Sequence, residues 1–247
     1  MIRSLKSLQG LDIHAQDGQL GHVHDCLFDD RYWTVRYVVV DTGGWLTGRK
    51  VLLAPEAFGA VGESPEKLAV DLTAKQIEQS PPIQSDMPVA RQKEAELANY
   101  FGWTPYWTWF GHPPEAAAAI DPAVVAKGQT GEQPGDPHLR SARHVDGYRV
   151  HTSDGLCGHV EDFLASLDDW VIRYFLVDTR DYLPGKTVLL SPAWCTEIRW
   201  DQRDIVVSMD SESIRGAPEF DPSQPPDRDY EEWLHKHFGR EGYWSKT

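Results

Sequence analysis

Cysteine is scarce in this chain. Cys26, Cys157 and Cys195 are the three in 247 residues; their odd number and the lack of Cys-x-x-Cys spacing exclude a disulfide framework and a thiolate zinc site. Long apolar runs are missing too: none approaches the roughly 20 residues that cross a bilayer. The opening MIRSLKSLQG has no apolar core of a secretory signal. Positive charge is in short supply, with 24 Lys and Arg against 38 Asp and Glu, a net charge of −14. Phosphate backbones are bound through basic faces, and anionic membranes attract the same cations. The expectation is therefore a cytoplasmic protein that neither binds nucleic acid nor inserts directly into membranes.

What the chain does have is repetition. WTVRYVVVDT (33–42) returns as WVIRYFLVDT (170–179), 137 residues later. The same shift aligns DGQLGHVHD (17–25) with DGLCGHVED (154–162), and WLTGRKVLLAP (45–55) with YLPGKTVLLSP (182–192). Between Ser4 and Pro55, 22 of 52 positions are identical without a gap. Such density marks a duplicated unit. The segment 112–137, rich in Pro, Gly and Ala, reads as a linker. The expected organisation is domain 1 at 1–80, a helical and aromatic tail at 81–111, the linker, domain 2 at 138–217, and a second tail at 218–247.

Within each copy, Asp17-Gly18 and Asp154-Gly155 carry tight-hairpin chemistry, and Gly21 and Gly158 mark a bulge or close backbone approach. Residues 20–28 and 33–41 read as antiparallel strands, since 35–40 is β-branched and aromatic. If Phe28 faces Trp33, then Asp25 faces Arg36, and Asp162 faces Arg173. This register predicts two cross-strand ion pairs, Asp25–Arg36 and Asp162–Arg173, that set the register. Segments 49–54, 67–72, 186–191 and 204–209 supply further strands. The fold class expected is mainly β with short helices: two tandem small antiparallel barrels, each followed by a helical tail. Leu97 and Phe101, like Leu234 and Phe238, share one helix face.

The run Asp-Gly, Gly-His-Val-x-Asp, Trp-x-x-Arg-Tyr ending in Asp-Thr, then Val-Leu-Leu-x-Pro resembles the PRC-barrel family, named for the cytoplasmic domain of the photosynthetic reaction-centre H subunit. The resemblance covers 1–80 and 138–217 as two tandem copies. It implies small barrels that hold partners, commonly self-associate and carry no catalytic motif. The family also includes the C-terminal domain of a ribosome-maturation factor; neither the H subunit's amino-terminal membrane helix nor that factor's RNA-associated domain is expected from these residues, so neither role is carried over.

Candidate chemistry is sparse. His22 and His24 share a strand face, and with His14 they are the residues that would hold a zinc or nickel ion. Copy two has Glu161 in place of His24, so no metal is expected, and no cofactor is implied. Asp41-Thr42 and Asp178-Thr179 read as turn or cap residues. GWTPYWTWFG (102–111) is aromatic; Trp107 and Trp244 are expected to be buried, and Trp103 and Trp109 to be free for a partner. The function read from the sequence is a non-catalytic protein-interaction or scaffold module, an intramolecular pseudo-dimer. The alternative is a small-ligand or metal-binding sensor; an enzyme comes third. The partner is a protein, basic or apolar to suit the acidic chain, or a second copy.

Overall fold

The computed structural model describes residues 1–46, 48–59, 67–81, 91–105, 138–181 and 185–245. The first copy opens with β1 (Ile2–Ser4), α1 (Leu5–Leu8), β2 (Asp12–Ala15), β3 (Gly18–Asp29) and β4 (Thr34–Asp41). It continues with β5 (Lys50–Leu53), β6 (Lys67–Ala69), α2 (Ala74–Glu78) and α3 (Arg91–Phe101). The second copy opens with β7 (Leu139–Ser141), α4 (Ala142–Val145), β8 (Arg149–Thr152), β9 (Gly155–Ser166) and β10 (Val171–Asp178). After β11 (Thr187–Leu190) come β12 (Cys195–Arg199), β13 (Asp204–Val207), α5 (Ser211–Gly216) and α6 (Arg228–His237). The chain is mainly β with a few short helices. Among the described helices none is long and apolar enough to cross a membrane. Trp107, Trp109 and the linker 112–137 lie outside the described residues.

The repeated polar residues tie each copy together in the same way. β2 and β3 form a hairpin with Ala15 opposite Gly18, and β8 and β9 pair Thr152 with Gly155. The aspartate of each hairpin loop receives a helix amide: Asp17 from Ala74 N at 2.7 Å, Asp154 from Ser211 N at 2.8 Å. Asp154 also accepts the hydroxyls of Ser211 and Thr152, each at 2.7 Å, and these bonds hold its pKa down at about 2. Thr42 and Thr179 donate to the carbonyls of Arg49 and Lys186 at 2.5 and 2.8 Å. Arg49 and Lys186 in turn donate to carbonyls at the ends of α2 and α5, at Ser80 just after α2 (2.6 Å) and at Arg215 in the last turn of α5 (2.5 Å). Asp41 and Asp178 accept the amide two residues on, from Gly43 at 2.9 Å and Arg180 at 2.8 Å, the turn role read from sequence.

Gly21 and Gly158 are required by close approach. A Cβ on Gly21 would sit 2.1 Å from the Asp41 carbonyl oxygen, and one on Gly158 2.3 Å from that of Asp178. The register of both hairpins also shifts nearby, between Ile13 and His14 and between Val150 and His151. Strands β3 and β9 thus bend sharply, with a half-exposed first part and a last five residues buried on both faces.

The register of the second hairpin differs from the sequence expectation. Ser166 pairs with Val171, and Asp162 lies opposite Leu176, because the ladder shifts between Ile172 and Tyr174 and leaves Arg173 outside it. The turn keeps the expected four residues but lies one position further on, at 167–170, where Trp170, like Trp33, adopts left-handed backbone with φ near 56° and 55°. That conformation is costly for a bulky residue, and packing that leaves Trp170 6% exposed holds it there.

The compact units do not follow the copy boundaries. One consists of Met1–Leu8, Tyr32–Thr34 and Ala142–Thr247; the other of Gln9–Arg31 and Val35–Ser141. In the first, β8, β10 and β1 all pair with β9, β1 through Ile2–Ser166, Arg3–Ala165 and Ser4–Leu164. In the second, β2 and β7 pair with β3, β7 through Leu139–Asp29, Arg140–Phe28 and Ser141–Leu27. Each copy therefore exports its first strand to the unit built by the other copy, in identical register. The boundaries expected at 1–80 and 138–217 miss this exchange, because apolar pattern reveals a strand and not the sheet it joins.

Two outcomes test this framework. Gly158→Ala forces a Cβ against a backbone oxygen with no room to yield, so urea denaturation should show a loss of about 1–3 kcal/mol or more; an unchanged midpoint would contradict the close approach. Because the Asp154 carboxyl is held below its unfolded value, it adds stability above about pH 4 that is lost as pH falls through about 2. Asp154→Asn should flatten the acid limb of the stability–pH profile across that window, and a profile parallel to the parent's would refute the assignment.

Candidate functional site

The most specific arrangement in either unit is the slot that receives the exported strand. Its base is a buried aspartate, Asp162 in one unit and Asp25 in the other, each 7% exposed. A buried carboxylate is tolerable only when hydrogen bonds replace its water. Asp162 accepts the Ser4 hydroxyl, Lys6 N at 3.1 Å and Phe163 N at 2.7 Å; burial still pushes its pKa up. Asp25 accepts the Ser141 hydroxyl at 2.5 Å and Cys26 N at 2.7 Å. Ser4 and Ser141 are themselves 137 residues apart in the repeat. The apolar residue before them completes the core. Leu139 is buried with Leu27, Tyr37, Val39, Leu52 and Leu97, and Ile2 is buried in the other unit.

The expected Asp162–Arg173 pair is replaced by this arrangement, and Arg36 engages two further carboxylates. The Arg36 guanidinium lies on Asp29, with Glu94 of α3 at 3.6 Å, and Arg173 lies on Asp169. The serine of the exported strand, a residue far away in sequence, takes the place that the register argument gave to arginine. In the first case three charged side chains, Arg36, Asp29 and Glu94, are 3% exposed or less.

The corresponding glutamate of α6, Glu231, is also buried, and its surroundings are different. It accepts the Tyr174 hydroxyl at 2.9 Å and the Tyr243 hydroxyl at 3.0 Å, and meets Arg228 at 3.2 Å. Burial raises the Glu231 pKa despite these bonds. His235, one turn on, has Nε2 3.0 Å from the Tyr174 hydroxyl and Nδ1 3.0 Å from the Glu241 carbonyl, and burial lowers its pKa. Arg173 covers the Tyr243 ring at 4.1 Å, and Arg228 covers the Trp244 ring at 4.1 Å. The pair Glu94 and Glu231 escaped the sequence reading. The signal was present: Glu94, Leu97 and Phe101 recur as Glu231, Leu234 and Phe238, on one helical face.

The histidines do not form a centre. His24 Nε2 is 3.0 Å from Lys50 Nζ, so an ammonium occupies the ring lone pair that a metal would need. His22 is exposed opposite Asp12, and His14 pairs with Gln19. Among the described residues no group of three or more His, Cys, Asp or Glu is placed to hold a metal. Cys157 is fully buried, which pushes its thiol up to about 12; a thiol so poorly ionised is a weak nucleophile.

Trp103 is not the free aromatic expected. It stacks on Phe101 with ring centroids 4.3 Å apart and packs on the core that holds Leu139. Trp244 is half-buried. The exposed large side chains are instead Trp233 of α6, 59% exposed, and Tyr100 of α3, 40% exposed; the Tyr100 hydroxyl is held by Gln76 O at 2.8 Å. Trp233 has no aromatic counterpart in the repeat, where Glu96 stands.

A cleft of about 260 Å³ opens beside the strand slot of Asp162, with Arg3, Ser4, Lys6, Glu161 and Gln224 in its lining. Lys6 Nζ is 3.0 Å from Asp146. No histidine or cysteine lines this cleft, and its charges of both signs suit a small polar molecule. No family model matches the chain, and no curated protein matches it.

Arg36→Met should cost about 3–5 kcal/mol, because it leaves Asp29 and Glu94 buried without their shared cation. Chemical denaturation at neutral pH checks this, with Arg31→Met as the control at the half-exposed neighbour of Asp29. Equal losses in both variants would show that Arg36 is not the organising charge.

Proposed function

We propose that the chain is a non-catalytic protein-interaction or scaffold module, an intramolecular pseudo-dimer of PRC-barrel-like units. The observation that carries this reading is the use made of the repeated polar residues. Asp17 and Asp154, Thr42 and Thr179, Arg49 and Lys186, and Asp25 and Asp162 are all committed to hairpin, helix-cap or strand-slot bonds. Duplication therefore repeats a framework and not a reactive centre. The exported strands support the pseudo-dimer, since each copy needs a segment from another copy to complete its unit. Partner contact falls to what the framework leaves over, and among the described residues Trp233 is the large aromatic that it leaves most exposed. Exposed Trp residues are favoured anchors of binding hot spots.

The cleft beside Asp162 favours a second reading, a small-ligand sensor. Affinity capture of the full chain from its source cell separates the two. A specific protein should be retained by the parent and reduced at least about tenfold by Trp233→Ala, the loss of one hot-spot side chain, with circular dichroism unchanged. Retention of a stoichiometric small molecule and no protein would replace the module with the sensor.

A further inference from the structure

The two strand slots share one chemistry, and so do the two strands that fill them. Each slot offers an antiparallel edge on the last residues of a long bent strand, an apolar hole, and a buried aspartate. Each strand offers an apolar residue, then Arg-Ser, then a short helical turn with buried residues at its ends: Ile2-Arg3-Ser4 before Leu5 and Leu8, Leu139-Arg140-Ser141 before Ala142 and Val145. The hinge behind each strand is also the same. Gly10 and Gly147, both with left-handed φ of about 80°, donate to the carbonyls of Val23 and Val160 at 2.8 Å.

We infer that the slot is a binding site for an extended apolar-Arg-Ser segment, and that its further occupant is the first strand of a second copy of this chain. The inference rests on the interaction-module reading and names a partner for it. Nothing in the slot distinguishes the strand of its own chain from that of another. Ser4 and Ser141 reach equivalent aspartates in equivalent register, and main-chain bonds of an added strand are indifferent to its origin. What favours the closed single chain is proximity. Membership of one chain gives the strand an effective concentration on the order of millimolar, so strands of separate chains compete when the protein folds at comparable concentration. The product is a strand-exchanged dimer in which every slot is filled as it is in the monomer.

The test reads which chain fills the slot. Arg3→Cys with Ala165→Cys places a thiol pair at directly opposed positions of β1 and β9, within disulfide reach for an antiparallel pair. The full-length chain is unfolded, refolded over a range of concentrations, oxidised and run on a non-reducing gel, with the parent chain as blank. Covalent dimer linked through positions 3 and 165 should rise from roughly one per cent at about 10 µM to near half at about 1 mM. Covalent monomer alone at every concentration would overturn the inference. If the cysteine variant fails to fold, two differently tagged parent chains refolded together supply the same readout. Co-purification must then rise with refolding concentration, be absent when the chains are mixed after folding, and fall when Ser4→Ala and Ser141→Ala are introduced together. Association that forms on simple mixing, or that ignores both serines, would place self-contact on another surface; it would sink the slot as the site and leave the interaction-module reading standing. That reading fails separately, through capture of a small molecule in place of a protein.

Discussion

A buried carboxylate has to be satisfied by hydrogen bonds, and in this protein a decisive bond comes from a serine that belongs to the other copy. Asp162 and Asp25 each hold the hydroxyl of an imported strand, while neighbouring backbone amides take up further lone pairs. Remove the import and an aspartate, an apolar hole and a strand edge are all left open at once. The sharp bend of β3 and β9 at Gly21 and Gly158 serves the same end, because one long strand can then pair first with its hairpin partner and later with the newcomer.

The copies keep this constraint and diverge elsewhere. Both helical tails bury a glutamate against their unit, and the two solutions differ in kind. Around Glu94 the answer is charge, with Arg36 shared between two carboxylates. Around Glu231 two tyrosine hydroxyls join one arginine, Arg228, and Arg173 and Arg228 also lie over aromatic rings. A buried ion cluster is intolerant of losing one partner. The second tail also carries the exposed Trp233.

Much of this was legible in the residues. The 137-residue period located both copies, and β-branched runs located the central strands. The glycines marked the close approach, and Asp41 and Asp178 read correctly as turn residues. The Asp162–Arg173 pair was misread for two local reasons: the turn, with a tryptophan in left-handed backbone, lies one residue further on, and a bulge removes Arg173 from the ladder. Neither has a signature in hydrophobic pattern. The strand slots were illegible for a deeper reason. Periodicity reports that a segment is extended and which face is apolar, whereas the choice of sheet depends on contacts between residues more than a hundred positions apart. Trp103 shows the same limit, since an aromatic beside a helix end reads alike whether it meets solvent or its own core.

The export of β1 has a consequence for how the protein is made. The first strand to leave the ribosome is needed in a slot whose aspartate lies 158 residues further along the chain. At translation speeds of about 5–20 residues per second, Ser4 waits roughly 8–30 s before Asp162 exists. The unit assembled mainly from the first copy waits as well, because its missing strand, β7, is encoded beyond the linker. Neither half can finish early: β1 stays unpaired until β9 is made, and the edge of β3 stays open until β7 follows the linker. Such edges are where chains in crowded polysomes pair with the wrong neighbour, and the charge of −14 keeps neighbouring nascent chains apart while they wait.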